Sequence, residues 1–314
     1  MDKSYKKKLQ QQGYYFTGEH SASKICTWTK KSLRDEGFCY KQKFYGINSH
    51  LCNQMSVTVN FCNNNCLYCW RERNNSDFGK IDEPIEIINN SIIAQRKLIS
   101  GYGGYEKLNK KKFIEAQNPK HYAISLTGET LAYPKLNELI KLLHKKNMST
   151  FIVTNGQLPE RLRKMTPPTQ LYISISAPTK DLFNKICSPI QKNGWEQLIK
   201  SLKILKNLKK RTRTAIRITV IKDLNMVFPQ KYAELIKIAE PKFVEVKAYM
   251  YVGASREKLT IKNMPTHEEV REFGLKIGKF CNYKFIDEQK ESRVILLMKK
   301  DLKNRILKFN NSKI

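Results

Sequence analysis

The run Cys52-Asn-Gln-Met55-Ser-Val-Thr-Val-Asn60-Phe61-Cys62-Asn-Asn-Asn-Cys66-Leu-Tyr68-Cys69-Trp70 decides how the chain is read. Met55 to Asn60 alternates apolar and polar residues, the period of a half-buried strand. It passes directly into three thiols spaced C-x3-C-x2-C. A strand that ends in such a loop aims its sulfurs at one point beyond its carboxyl end, which suits a metal or cluster at the mouth of a sheet. Zinc favours paired short spacings, although His50 could complete a zinc knuckle as the fourth ligand. An iron–sulfur cubane is usually held by four thiolates. Three leave one iron open, and open positions are where metals do chemistry.

Beyond this loop, strand-like runs alternate with amphipathic helical ones. The strands are expected at Met55–Asn60, Tyr122–Leu126, Phe151–Thr154, Leu171–Ile175, Ala215–Val220 and Phe243–Ala248. Helical patterns fall at Pro84–Ser100, Lys135–Lys146, Trp195–Lys209 and Gln230–Ala239. Strands spaced by helices imply parallel βαβ units buried on both faces. Six units fall short of a closed eight-fold barrel, so the expected fold is α/β, an open, partial (β/α)6 TIM-like barrel. A helix near Thr266–Phe280 opens on a capping box, Thr266 with Glu269. Tyr283–Glu288 and Arg293–Met298 then read as a hairpin closing one side. The division expected is an N-terminal cysteine-bearing extension over residues 1–54, the barrel over 55–260 and a basic C-terminal extension over 261–314. Within the extension, residues 1–20 read as a loosely held arm and Ser21–Leu51 as irregular.

Length and charge bound the function. At 314 residues the chain can bury a full-sized core. No apolar run approaches the roughly 18 residues of a membrane span, and the N-terminus lacks the apolar segment of a signal peptide. A cytoplasmic protein without a membrane partner, by default a monomer, is expected. Lys and Arg number 58 against 28 Asp and Glu, a formal charge of +30. Such an excess repels itself unless a polyanion offsets it, and nucleic acid is the first candidate. Candidate phosphate contacts run along Lys200, Lys203, Lys206, Lys209, Lys210, Arg211 and Arg213. Lys110–Lys112 and Lys299, Lys300, Lys303 and Arg305 add to them. Each stretch alone reads as a solvated face rather than a contact; together they suggest a phosphate-binding surface.

Eight cysteines in a chain of this character argue for metal or redox use over disulfides. Upstream of the loop, Cys26, Cys39 and Cys52 are spaced C-x12-C-x12-C, as if three ligands fold around one centre. Cys187 and Cys281 are left over and read as small buried residues. The five His show no ligand spacing.

Cys62, Cys66 and Cys69, with Tyr68 before the last, resemble the signature loop of the radical S-adenosylmethionine superfamily. Within it the chain is similar to the tRNA 4-demethylwyosine synthases, in the short form without a flavodoxin domain. That resemblance rests on the upstream triad, Phe38-Cys39-Tyr-Lys41-Gln-Lys43-Phe-Tyr-Gly46, Ser49-His-Leu-Cys52 and Ser125-Leu-Thr-Gly128-Glu129. Thr130 stands where the family pattern has Pro. The resemblance implies two [4Fe–4S] clusters, one on Cys62, Cys66 and Cys69 and a second on Cys26, Cys39 and Cys52, with S-adenosyl-L-methionine on the first. It implies a tRNA(Phe) substrate carrying N1-methylguanosine, pyruvate as co-substrate, and an external one-electron reductant.

Hydrogen abstraction from an unactivated methyl is beyond acid–base side chains, so a cofactor must carry it. Pyruvate could be held as a Schiff base on a lysine, Lys41 in preference to Lys43, or on a free iron of the second cluster. For S-adenosylmethionine the strand ends offer Gly128 and Glu129, then Thr154 and Asn155, then Ser174 and Ser176, with Tyr68 from the loop. Each also reads as an ordinary strand-end turn. Two other classes remain open. A different radical RNA-modifying enzyme, such as a methyltransferase, would need a further methyl-carrying cysteine. A zinc- or cluster-stabilised RNA-binding module would need no catalysis at all.

Overall fold

The computed structural model describes residues 1–72 and 76–309. Ten strands form one sheet: β1 (Tyr15–Phe16), β2 (Ala22–Ser23), β3 (Cys52–Ser56), β4 (His121–Ile124), β5 (Ser149–Thr154), β6 (Gln170–Ile175), β7 (Arg213–Val220), β8 (Phe243–Ala248), β9 (Lys284–Gln289) and β10 (Val294–Met298). The helices are α1 (Lys3–Gln11), α2 (Thr27–Leu33), α3 (Tyr40–Tyr45), α4 (Pro84–Ser100), α5 (Lys110–Ala116), α6 (Leu136–Lys145), α7 (Pro159–Arg163), α8 (Lys180–Cys187), α9 (Gly194–Leu208), α10 (Pro229–Ala239) and α11 (His267–Cys281). Strands β3 to β8 lie side by side in chain order, all parallel. The expected α/β fold is therefore present as an open sheet. The C-terminal hairpin closes one edge, with β10 antiparallel to both β8 and β9. Helix α11 starts on the capping box read from the sequence.

Both faces of the parallel strands are buried, by alternate residues. Ile124, Ile152, Ile173, Ile216 and Val244 join the main core with the long helices. Phe151, Tyr172, Ala215 and Phe243 face the other way, against Tyr40, Phe44 and Tyr45 of α3. Inside that second layer sits a polar network. The Glu245 carboxylate accepts from the hydroxyls of Tyr40 (3.0 Å) and Tyr45 (2.7 Å) and from Arg217 Nε (3.0 Å). It ties α3 to the sheet through a buried, fully partnered charge, the condition under which such a charge is tolerated. Below α3 the segment 302–309 crosses as a strap: Leu307 N–H donates to Tyr45 O (2.8 Å), and Arg305 Nη1 donates to Phe44 O (3.0 Å). Gly46, at φ +78°, admits it, since a Cβ there would lie 2.7 Å from Ile306 Cγ2.

Three expectations are corrected. Residues 1–20 are no loose arm. Tyr5 and Leu9 are buried with Tyr14, Ala22, Val59 and Leu126, and β1 and β2 extend the sheet from β3. Burying a side chain such as Leu9 is worth roughly 1.5–3 kcal/mol, which holds a nine-residue helix too short to persist alone. Ser21–Leu51 is not irregular either, since α2 and α3 lie within it. The first parallel strand is Cys52–Ser56, not Met55–Asn60. Val57 to Phe61 stay largely buried but leave the ladder: His20 Nδ1 takes Val57 O (2.7 Å) and Glu129 N–H takes Phe61 O (2.8 Å). Of the basic candidates, Arg213 and Arg305 are committed inward, Arg213 donating to the carbonyls of Asn304 and Arg305 (both 2.7 Å).

Candidate active site

The carboxyl ends of the parallel strands surround a cavity of about 210 Å³. Cys62, Cys66, Tyr68 and Cys69 form one wall, and Gly128, Glu129, Thr154, Asn155 and Ser174 line the strand ends opposite. Of the proposed cofactor contacts only Ser176 stands apart from this lining; its Oγ meets the Tyr68 hydroxyl. The cysteine loop is braced from outside by the end of α8. Asn65 N–H donates to Cys187 O (2.8 Å), Leu67 N–H to Ile186 O (2.8 Å), and Ile190 N–H to Asn63 O (2.8 Å). Cys187, read from the sequence as filler, is buried and hydrogen-bonded through its thiol to Cys66.

Gly128 fixes how closely the wall and the strand ends approach. Its φ is +75°, and a Cβ there would lie 1.7 Å from Thr58 O. Glu129 is 2% exposed and its carboxylate is spoken for inside the protein. Oε1 accepts from Thr154 Oγ1 (2.6 Å) and Leu131 N–H (3.0 Å), and Oε2 from Asn155 N–H (2.9 Å). Burial raises its pKa, while the bonds from Asn155, Thr154 and Leu131 pull it down. Glu129 and Thr154 thus set the backbone of the cavity, leaving Asn155, whose Nδ2 is 3.7 Å from Cys62 Sγ, to face it. The donor set fits a cubane with one open iron: three thiols at the wall, no opposing acid free, and buried oxygens of Asn60, Asn63 and Asn64 without partners beside them. Among the described residues, no three Cys, His, Asp or Glu side chains form a mononuclear metal site. His50, weighed as a zinc ligand, pairs with Glu115 (2.7 Å).

The upstream cysteines also gather. Cys26 is the N-cap of α2, Cys39 the N-cap of α3, and Cys52 the first residue of β3. Burial, and then the charge of Cys26, push the Cys39 thiol up to about 11. Burial pushes Cys52 up to about 12, with Lys41 opposing. Cys39 and Cys52 keep their protons until a cation replaces them, and thiolate donors of this kind are what a cluster takes.

The two candidate lysines part company here. Lys43 is exposed and committed, its Nζ 2.6 Å from Glu288 O and 3.0 Å from Asp287 Oδ1. Lys41 is buried between the rings of Phe151 (5.2 Å) and Tyr172 (5.1 Å), with no hydrogen bond or ion pair among the described residues. Burial, then the neighbouring Arg217 charge, hold its amine below the usual lysine value. Arg217, Glu245 and Lys247 escaped the sequence reading. Their signal was charge recurring at every second position of strands expected to be buried on both faces, as in Phe243-Val-Glu-Val-Lys-Ala248.

Comparison with known proteins agrees with this geometry. Residues 56–236 match the radical SAM superfamily, and residues 238–299 match a wyosine base formation family. The S-adenosyl-L-methionine-dependent tRNA 4-demethylwyosine synthase of Pyrococcus horikoshii is 47% identical over 311 residues, covering 96% of this chain and 90% of that protein. The synthase of Methanocaldococcus jannaschii is 40% identical, covering 94% and 96%. A structure of TYW1 with a lysine–pyruvate adduct bound superposes with a TM-score of 0.89 at 37% identity, covering 98% of this chain and 99% of that one. The superfamily match brings S-adenosylmethionine and one [4Fe–4S] cluster as cofactors. No helix among the described residues is long and apolar enough to cross a membrane. With the sulfur-walled cavity, the strand ends and these relatives in agreement, the chain belongs to the tRNA 4-demethylwyosine synthase family of radical S-adenosylmethionine enzymes.

Proposed function

We propose that the chain joins the N1-methyl carbon of N1-methylguanosine, next to the anticodon of tRNA(Phe), to pyruvate, giving 4-demethylwyosine. The observation that carries this reading is Lys41: a buried amine with no ion pair among the described residues, in the field of Arg217, Cys39, Glu245 and Cys52. A neutral amine is the nucleophile that a ketone needs, and burial favours the neutral form. Its nitrogen attacks the pyruvate carbonyl carbon, water leaves, and an imine holds the co-substrate. Arg217 supplies a fixed cation nearby for the carboxylate, held by Glu245 and Tyr40. Lys43 is left to bind Asp287 and Glu288.

Cys62, Cys66 and Cys69 would hold the catalytic cluster, with Tyr68, Asn155 and Ser174 facing S-adenosylmethionine and Gly128, Glu129, Thr154 and Ser176 positioning that wall. Cys26, Cys39 and Cys52 would hold a second [4Fe–4S] cluster. When bound, the cluster and S-adenosylmethionine would supply the one-electron chemistry that removes a hydrogen atom from the methyl group. The methyl carbon radical would add to the imine carbon on Lys41, leaving the unpaired electron on nitrogen. The bond to the carboxylate would then break, re-forming the imine and carrying that electron away on the departing one-carbon fragment. The exocyclic amine of the guanine would displace Lys41 to close the ring.

The same reading treats the six parallel strands as a partial (β/α)6 barrel divided at residues 1–54, 55–260 and 261–314. It expects an external one-electron donor, a monomer, and a cytoplasmic setting. The test is anaerobic turnover with reductant, S-adenosylmethionine, pyruvate and methylated tRNA, followed by borohydride trapping and peptide mass analysis. A pyruvate-derived mass on the Lys41 peptide, absent in Lys41→Arg and retained in Lys43→Ala, is expected. 5′-Deoxyadenosine without a tricyclic base, or an adduct that survives Lys41→Arg, would refute the reading.

A further inference from the structure

At the rim of the cavity one buried charge has no ion pair among the described residues. Arg71 lies two residues beyond Cys69, lines the cavity and is 7% exposed. Its Nη1 donates to the Tyr14 hydroxyl, while Nε and Nη2 are buried with no hydrogen-bond partner. Among the described residues no carboxylate pairs with it. The adjacent Glu72 turns away to Lys8 (2.6 Å) and Gln12 (2.9 Å). A second cation stands beside it, Lys24, with Nζ 4.9 Å from the Tyr14 ring centroid and 5.9 Å from that of Trp70. It too has no ion pair among the described residues.

The Arg71 guanidinium lies against the Trp70 indole, Cζ 2.9 Å from the ring centroid, and the indole is still 41% exposed. Its backbone is pinned: Ala254 N–H donates to Trp70 O (3.1 Å), and a Cβ on Gly253 would lie 2.2 Å from that oxygen. A buried guanidinium left unpaired costs several kcal/mol, so this arrangement is a poor way to stabilise the free protein and a good way to receive an anion. An amino-acid carboxylate would use the cations and leave the exposed part of the indole idle. A nucleotide uses both, its phosphate on the cations and its base on the ring.

We propose that Arg71, Lys24 and Trp70 form a nucleotide subsite at the cavity mouth, binding the phosphate and base of a residue flanking the one that enters the cavity. This rests on the tRNA reading above. Lys24 sits beside β2 and Arg71 beside the cysteine loop, so the subsite couples the N-terminal segment to the radical site. A flanking nucleotide anchored there would leave its neighbour splayed toward Cys62 and Asn155.

The test uses the reconstituted holoenzyme and an anticodon stem-loop RNA containing N1-methylguanosine, with affinity read by fluorescence anisotropy between 50 and 200 mM salt (concentrations of the order at which phosphate contacts are resolved). Arg71→Gln, Lys24→Gln and Trp70→Leu should each weaken binding roughly tenfold, within the range for a lost stacking or phosphate contact. The two charge variants should also flatten the dependence of log affinity on log salt by about 0.7 each, and the Trp70 variant should not. Thermal stability of Arg71→Gln should be no lower than that of the parent. Unchanged RNA affinity in Lys24→Gln and Trp70→Leu would overturn the subsite, as would a larger loss of S-adenosylmethionine affinity than of RNA affinity in Arg71→Gln. Should the parent enzyme itself fail to bind the RNA, the tRNA reading falls instead.

Discussion

Replacing Gly128 by Ala tests whether strand-end backbone sets the cysteine loop. The new methyl meets two separate penalties. At φ +75° an L side chain costs about 1–2 kcal/mol. The Cβ would also lie 1.7 Å from Thr58 O and 2.7 Å from Phe61 O, both backbone atoms that cannot rotate aside. Overpacking of this kind costs about 1–3 kcal/mol more. The total, about 2–5 kcal/mol, is a large share of a typical folding stability of about 5–15 kcal/mol. Relief requires Thr58–Phe61 to move away, breaking the bond from Glu129 N–H to Phe61 O, and Phe61 leads directly into Cys62. Gly13→Ala is the control: φ there is +84°, but nothing lies within 4 Å of the added carbon, so only the first penalty applies. Iron and sulfide per chain after anaerobic reconstitution, urea midpoints and 5′-deoxyadenosine formation are the readouts. A displacement near an ångström at a reacting centre costs on the order of 100-fold in rate. If Gly128→Ala holds its full iron, cleaves S-adenosylmethionine at the parent rate, or loses no more stability than Gly13→Ala, the reasoning fails.

Two further outcomes follow from buried charge. Glu245→Leu strands Arg217 and two tyrosine hydroxyls, so a loss of about 3–5 kcal/mol in denaturant unfolding is expected. Adding Arg217→Met should restore part of it, and a double variant as unstable as the single one would contradict the pairing. His121 is buried as neutral imidazole, its Nε2 accepting from Asn48 N–H (3.1 Å) and its Nδ1 meeting Ser149 Oγ (2.8 Å). Burial, then the His50 charge, lower its pKa from 6.5 to about 3. The unfolded chain takes up the proton first, so this contribution is complete above about pH 6.5 and is lost as pH falls toward 3. The loss is about 1.4 kcal/mol at pH 5.5 and at most about 5 kcal/mol. Urea midpoints between pH 7.5 and 5.5 should fall more steeply for the parent than for His121→Gln; equal slopes would refute the assignment.

Much of this architecture was legible because the helices are long and periodic. Pro84–Ser100 begins and ends where the sequence places it, with Pro at its first position. The parallel strands were found within a few residues, since apolar runs between such helices have few other uses. The first fifty or so residues were not legible. Their elements are short, their lysines hide the spacing of Tyr5 and Leu9, and α2 and α3, whose N-cap cysteines make no cap hydrogen bond, are held by tertiary contacts rather than by periodicity. In the site, the short spacing of Cys62, Cys66 and Cys69 put them on one loop, and the structure has all three on the cavity wall. Lys41 could be separated from Lys43 only by burial, which adjacent lysines do not reveal. Glu129 was legible as a site residue, but its carboxylate binds the protein's own Thr154 and Asn155, contacts made across strands far apart in sequence. Cys187 and Arg71 carry no local signal at all.

The strap over α3 has a consequence for the life of the chain. Strand β10 enters between β8 and β9, and residues 302–309 then cross beneath Phe44, Tyr45 and Gly46. These are among the last described residues to leave the ribosome, yet they secure the helix that carries Lys41 and is capped by Cys39. Until they arrive, the carbonyls of Phe44 and Tyr45 lack the donors that Arg305 and Leu307 bring, and the closing end of α3 is unfinished. Synthesis itself then sets the moment at which the helix bearing Lys41 is locked.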